Sequence, residues 1–172
     1  PLIKSVDGGL TWSDLLTTPK NWGQISSCPC IFRISNSKGV ERLFVFAGRG
    51  KHHSAMSEDG GTTWTPMKET GLFKPGGNTA IIPIDHGRRH LLLMQRGPTD
   101  APRDEMPNAV WQAVSSDGGL TWKDYRKVCE VQGAVPCEPE LIRSPDGTQI
   151  ACIMRENSRR FQSLVMFSDN EG

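Results

Sequence analysis

One eight-residue phrase recurs along the chain and limits the folds open to it. Its pattern, Ser-x-Asp-Gly-Gly-x-Thr-Trp, is complete at residues 5–12, 57–64 and 115–122, and a fourth copy begins at 168–172. The third positions of successive copies are 52, 58 and 53 residues apart. No helical periodicity lies between the copies. A repeat of roughly 50 residues without helices is typical of the blades of a β-propeller.

The phrase itself predicts a tight turn between two strands. Glycine accepts a positive φ without a Cβ clash, so Asp-Gly-Gly is a hairpin signal. The Ser and Asp oxygens can accept backbone N–H groups inside the turn. The tryptophan is large enough to fill the gap between neighbouring repeats. We therefore assign structural roles to these residues: Asp7, Asp59, Asp117, Trp12, Trp64 and Trp122.

Between the copies, short alternating segments predict four antiparallel strands per repeat. Turn residues separate the strands, as in Asn-Ser-Lys-Gly at 36–39 and Pro-Asp-Gly at 145–147. The fourth strand of a repeat is expected to carry its tryptophan. The chain is thus predicted to be all-β, one domain over residues 1–172, with about three four-stranded blades. The predicted strands are 30–34, 42–47, 54–57, 79–84, 90–95, 110–115, 140–143, 149–154 and 163–167.

Composition excludes several classes of function. Twenty Lys and Arg stand against nineteen Asp and Glu, which argues against a nucleic-acid groove or an anionic membrane surface. No apolar run approaches the roughly 20 residues of a membrane-spanning helix. The five cysteines are odd in number and have no zinc-ligand spacing, so we interpret them as small buried thiols and expect no metal or cofactor.

The phrase resembles the Asp-box, or BNR repeat, of the sialidase superfamily. That resemblance implies a six-bladed β-propeller, of which this chain holds about half. It also implies a glycoside hydrolase that acts on terminal acidic sugars, and secretion or a periplasmic location. Asp-boxes occur on other propellers too, so a non-catalytic glycan- or protein-binding propeller and a polysaccharide lyase stay open.

A second resemblance suggests where a site lies. The segment from Cys137-Glu138-Pro139 to Met154-Arg155 is similar to the sialidase blade that supplies a catalytic Glu and one arginine of a triad. A hairpin through Pro145–Gly147 brings Arg155 opposite Glu138. We predict that arginines at equivalent strand ends converge on one rim and bind a substrate carboxylate. The substrate-binding candidates are Arg49, Arg96, Asn78 beside Arg96, and Glu140 as the alternate to Glu138.

Candidates for an acid or base are less well defined. Asp100 and Asp104 lie in a long loop after Arg96, and His52 and His53 emerge from the same rim; the alternative is that all four are solvated surface groups. The one tyrosine, Tyr125, is placed on an outer strand, away from any nucleophile position. We therefore expect the isolated chain to be inactive, and its open blade edges to favour self-association.

Overall fold

The computed structural model describes residues 2–25, 29–48, 51–72, 79–96 and 109–172. These residues form eleven strands in three antiparallel sheets of four, four and three strands. The prediction of an all-β chain with about three blades is confirmed, the third sheet having three strands among the described residues. The strands are β1 (Cys30–Ser35), β2 (Glu41–Ala47), β3 (His53–Ser57), β4 (Lys68–Glu69), β5 (Thr79–Ile84), β6 (Arg89–Arg96), β7 (Ala109–Ser115), β8 (Lys123–Cys129), β9 (Pro136–Arg143), β10 (Ile150–Glu156) and β11 (Leu164–Ser168).

Two 3-10 helices, Lys20–Gln24 and Asp85–Gly87, complete the regular structure of the described residues. No helix in this part of the chain is long and apolar enough to span a bilayer. The first sheet contains β1–β4, the second β5–β8 and the third β9–β11. Within each sheet a strand pairs with its neighbours in the sequence. This is the meander expected of a blade.

The predicted fourth strands begin later than expected. In the first sheet β4 starts at Lys68, four residues after Trp64, because the intervening backbone bonds to the N-terminal segment. The indole of Trp22 donates to the carbonyl of Thr65 at 3.1 Å, and the side chain of Asn21 exchanges two hydrogen bonds with the backbone of Met67. The first copy of the phrase is followed by the 3-10 helix that carries Trp22, rather than by the strand predicted there.

The three sheets stack face to face. Residues on β6 and β10, such as Leu91, Leu93, Cys152 and Met154, form the core between the second and third sheets. Ile34, Phe44 and Phe46 form a second core between the first and second sheets. The other face of the first sheet packs against Trp22 and Ile25.

The repeated phrase forms the predicted turn. In the second copy the Ser57 hydroxyl donates to Asp59 at 2.7 Å and accepts the Gly61 N–H at 2.9 Å. Asp59 also accepts the N–H and hydroxyl of Thr63, and these hydrogen bonds lower the pKa of its carboxyl. The first and third copies repeat this network at Asp7 and Asp117. These aspartates therefore serve as turn residues.

Two of the three tryptophans of the phrase pack between elements. Trp122 meets the ring of Phe46 edge-on, with 6.3 Å between ring centroids. Trp64 meets Trp22 in the same way at 5.4 Å. Trp12, in the first copy, is 60% exposed. The indole therefore packs between elements where the chain supplies a neighbouring aromatic side chain, on a sheet for Trp122 and on a 3-10 helix for Trp64.

Candidate functional site

The candidate site lies where β9 begins and β10 ends. Arg155 pairs with Cys137 and Glu156 pairs with Pro136. The pairing shifts between Ile153 and Arg155, so β9 carries an extra residue in a β-bulge. Glu138 lies in this bulge with a φ of 51°, a conformation in which few residues other than glycine are found. Backbone strain of this kind is common at binding and catalytic sites.

The predicted contact between Arg155 and Glu138 is present. Arg155 Nε lies 3.0 Å from Glu138 Oε2, and the same Nε lies 3.4 Å from Cys137 Sγ. The side chain of Arg155 is 56% exposed and that of Glu138 is 34% exposed. A guanidinium oriented by a carboxylate at an exposed strand end can receive an external anion.

Cys137 lies beneath this pair. Its side chain is buried, and burial raises the pKa of its thiol, although the hydrogen bond from Arg155 opposes that change. The thiol thus remains protonated at neutral pH. The thiol donates a hydrogen bond to the backbone carbonyl of Arg155, with 3.4 Å between Sγ and the oxygen. This bond links the start of β9 to the end of β10.

Sequence reasoning missed Glu156, which is buried next to the pair. Its Oε1 accepts the N–H groups of Val135 and Ser158, each at 2.8 Å. Burial alone raises the pKa of this carboxyl, but the hydrogen bonds from Ser158 and Val135 outweigh it and lower the pKa to about 2. Ile150, Cys152, Met154 and Glu156 are every second residue of β10 and all are buried. This alternation is the sequence signal that could have placed Glu156 on the buried face.

The strand register corrects one part of the arginine prediction. His90 of β6 and Ile150 of β10 each pair with the serine of the following turn, Ser115 or Ser168. Counted from those residues, the counterpart of Arg96 in the third sheet is Glu156, and Arg155 comes one position earlier. A shift of one residue moves a side chain to the other face of a sheet. Arg155 and Arg96 are therefore not equivalent positions.

The remaining arginine and loop candidates are Arg96, Arg49, Asn78, Asp100 and Asp104. Arg96 ends β6, at the same end of its sheet as Arg155 in the third sheet. The other candidates, Arg49, Asn78, Asp100 and Asp104, lie outside the described residues. Convergence of the arginines on one rim therefore stays a prediction.

The two histidine candidates have different surroundings. His52 is buried and stacks on Phe46, with ring centroids 5.3 Å apart. Burial, and to a lesser extent the charge of His53, lower its pKa to about 4. These contacts make His52 a neutral core residue rather than the rim acid or base considered above. His53 is partly exposed, and its Nδ1 lies 3.0 Å from the Lys51 carbonyl.

Glu140 lies on β9 opposite Ile153 and is exposed. By alternation Ile153 shares its side of β10 with Arg155, so Glu140 faces the same open side of the sheet. Within the described ranges no three His, Cys, Asp or Glu side chains are grouped closely enough to hold an ion.

Comparisons with known proteins support the fold. No family model and no curated protein matches the chain. A Dyadobacter fermentans protein of unknown function is 17% identical with a TM-score of 0.70, over 99% of this chain and 54% of that one. An α-L-arabinofuranosidase of Fusarium graminearum is 13% identical with a TM-score of 0.64, over 98% and 54% of the two chains.

The intramolecular trans-sialidase of Ruminococcus gnavus is 18% identical with a TM-score of 0.59, over 91% of this chain and 34% of that one. The chain thus spans about half or less of the length of these structures. At such identities the likeness establishes the fold alone. It is the sialidase-like β-propeller, here as two four-stranded blades and one three-stranded blade.

Proposed function

We propose that this chain is the part of a sialidase-like glycoside hydrolase that binds the carboxylate of a terminal acidic sugar. The observation that carries the proposal is the exposed guanidinium of Arg155, held by Glu138 at a β-bulge on a blade end. An arginine fixed in this way loses little side-chain freedom on binding an anion, which strengthens the bidentate contact.

The solved structures add support of a general kind. One matching sialidase was crystallised with oseltamivir carboxylate, and other matches act on or bind sugars.

Glu138 is proposed to orient Arg155. In the sialidase scheme suggested by the resemblance, a glutamate instead acts as the base that polarises a nucleophilic tyrosine, an exception to the two-carboxylate scheme of glycosidases.

A binding role without hydrolysis is the second candidate. The one tyrosine of the chain, Tyr125, stacks on Trp111 with ring centroids 5.0 Å apart, on the outer strand β8. That position belongs to the second sheet, whereas Arg155 lies near the end of β10 in the third sheet. Binding of an acidic glycan by the described residues needs no nucleophile, so this chain alone suits recognition better than turnover.

Titration of the chain with free sialic acid, followed by NMR, tests the proposal. We expect Arg155→Ala to weaken binding at least about tenfold, because a charge-assisted contact of this type contributes roughly 1.5–3 kcal/mol. Arg155→Lys keeps the charge but loses the planar fork, so intermediate affinity is expected. Arg160→Ala removes an exposed arginine of the connection between β10 and β11 and should bind as the wild type does.

N-acetylmannosamine, which lacks the carboxylate, serves as the ligand control. It should not bind in the same range. Unchanged affinity of Arg155→Ala for sialic acid would overturn the proposed site. Equal binding of the neutral sugar would remove the acidic sugar from the proposal and leave a general glycan-binding surface.

A further inference from the structure

Two connections meet at the end of the third sheet that carries Arg155. The connection from β8 to β9 spans residues 130–135, and the connection from β10 to β11 spans residues 157–163. We call them the rim loops. The Asn157 N–H donates to the carbonyl of Val135 at 3.0 Å, so the two rim loops are joined directly beside the proposed carboxylate site.

A buried carboxylate holds both rim loops in place. Glu156, which is 9% exposed, accepts one N–H from each loop, that of Val135 and that of Ser158, each at 2.8 Å. The hydroxyl of Ser158 in turn accepts the N–H of Arg160 at 3.3 Å. The backbone that leads from β10 to Phe161 is therefore fixed by hydrogen bonds and not by burial of the phenyl ring.

Phe161 presents an aromatic ring on the second rim loop and is 49% exposed. The first rim loop forms a turn against it, in which the Ala134 N–H donates to the Val131 carbonyl at 3.0 Å and Gly133 has a φ of 77°. A Cβ on Gly133 would lie 3.9 Å from Phe161 Cε2, an ordinary van der Waals contact. The ring thus rests on the backbone of the turn, and about half of the residue stays open to a ligand.

The phenyl ring lies within reach of a ligand bound at Arg155. Arg155 precedes Asn157 by two residues, a path of at most about 7 Å. Gly133, which supports the ring, precedes Val135 by the same number of residues. The hydrogen bond between Asn157 and Val135 joins these two short paths. A ligand two or more sugars long, with its acidic end on Arg155, can therefore extend to Phe161.

We propose that Phe161 is a stacking residue for the neutral sugar that follows the terminal acidic sugar, and that it sets a preference for a glycan over a single acidic sugar. The inference rests on the proposed function, because Arg155 supplies the contact for the acidic end. The C–H face of a sugar ring is apolar and suits an aromatic surface. A ring already fixed on the Gly133 turn loses little freedom when it binds. A sugar without charge suits this position, because the phenyl group offers no partner to a charge.

The test compares two ligands of different length by NMR titration of the chain. 3′-Sialyllactose carries a neutral sugar on its sialic acid, whereas the methyl α-glycoside of sialic acid ends at the acidic ring. We expect the wild-type chain to bind sialyllactose about threefold to tenfold more tightly, the effect of one aromatic contact. Phe161→Ala should abolish this difference and leave the affinity for the methyl glycoside unchanged. Phe161→Tyr, which keeps an aromatic ring, should restore the difference.

Phe167→Ala is the matched control, because Phe167 is another exposed phenylalanine of the third sheet. It should keep the wild-type ratio of affinities. Equal affinity of the wild type for the two ligands would overturn the stacking role. So would a Phe161→Ala chain that keeps the wild-type ratio, or one that loses affinity for both ligands equally. Failure of the methyl glycoside to bind the wild type, or its unchanged binding to Arg155→Ala, would instead overturn the carboxylate site and this inference with it.

Discussion

Arg155 and Glu138 depend on a backbone distortion as much as on their charges. The extra residue of β9 gives Glu138 a left-handed conformation and turns its carboxylate toward Arg155 on the next strand. Cys137 and Glu156 then fix the strand ends on either side through backbone contacts. At the scale of single residues, the site is thus supported by a bulge, a thiol and a buried carboxylate.

The strain at Glu138 gives a first prediction. Glu138→Gly should be more stable than Glu138→Ala by about 1 kcal/mol, because only glycine adopts a positive φ without a steric cost. The matched control is Glu140, which occupies a regular position of the same strand. There the order should reverse, with Glu140→Ala more stable than Glu140→Gly. Urea unfolding measures all four free energies, and the same order at both positions would contradict a strained Glu138.

His52 gives a pH prediction. Its pKa of about 4 in the folded protein is below the ordinary histidine pKa of 6.5, since burial disfavours the charged ring. The unfolded chain then binds the proton first, so stability is lost as the pH falls from about 6.5 toward 4. The loss from this one group is on the order of 3 kcal/mol. It is absent above pH 7, where both states are neutral.

His52→Phe keeps the ring stacked on Phe46 and removes the titrating group. We expect the free energy of unfolding of this variant to decline less between pH 7 and pH 5 than that of the wild type. His86→Asn, which leaves the buried imidazole in place, should follow the wild type. Parallel pH profiles for His52→Phe and wild type would show that His52 is not buried as a neutral ring.

At the scale of elements, the repeated turn is both a local motif and a tertiary contact. Gly119 and Gly60 have positive φ values of 86° and 70°. A Cβ on Gly119 would lie 3.1 Å from the ring of Phe44, whereas one on Gly60 would meet no atom within 4 Å. A substitution at Gly60 therefore tests only the backbone conformation of the turn, whereas one at Gly119 also tests its packing against the first sheet.

Alanine at either position carries the penalty of a positive φ, but only Gly119→Ala must also displace Ile34 and Phe44. We expect Gly119→Ala to be about 1–3 kcal/mol less stable than Gly60→Ala, the usual cost of overpacking a core. Thermal and urea denaturation of the two variants provide the measurement. Equal losses would mean that the turn is not pressed against the first sheet.

The strands and turns could be predicted because their signals are local. The short apolar runs at 42–47 and 79–84 and the serine–aspartate turns are local signals that need no distant partner. The late start of β4 could not be predicted, because Thr65 and Met67 bond to Trp22 and Asn21, more than 40 residues away. The offset of Arg155 from Arg96 depends on the pairing register of β6 with β7 and of β10 with β11, which the order of residues alone does not reveal.

At the scale of the whole molecule, the two ends of the stack differ. The outer face of the first sheet is covered by Trp22 and Ile25. The outer face of the third sheet is open: Ile142, Ile153 and Phe167 are 67%, 54% and 64% exposed. They lie on three adjacent strands and share one side of the sheet. A contiguous apolar patch of this kind is typical of a surface that packs against another sheet.

This face predicts that the chain self-associates through the side of its third sheet, in addition to any pairing of strand edges. Ile153→Lys with Phe167→Lys places two charges in the middle of the patch, where each would be buried without a partner in an assembly. We expect the double variant to shift the protein toward monomer in light scattering coupled to size exclusion, and to bind less of an apolar dye. Val6→Lys, an exposed apolar position in the first turn, should change neither. Association that persists unchanged in the double variant would place the contact elsewhere, at the strand edges or on the N-terminal segment.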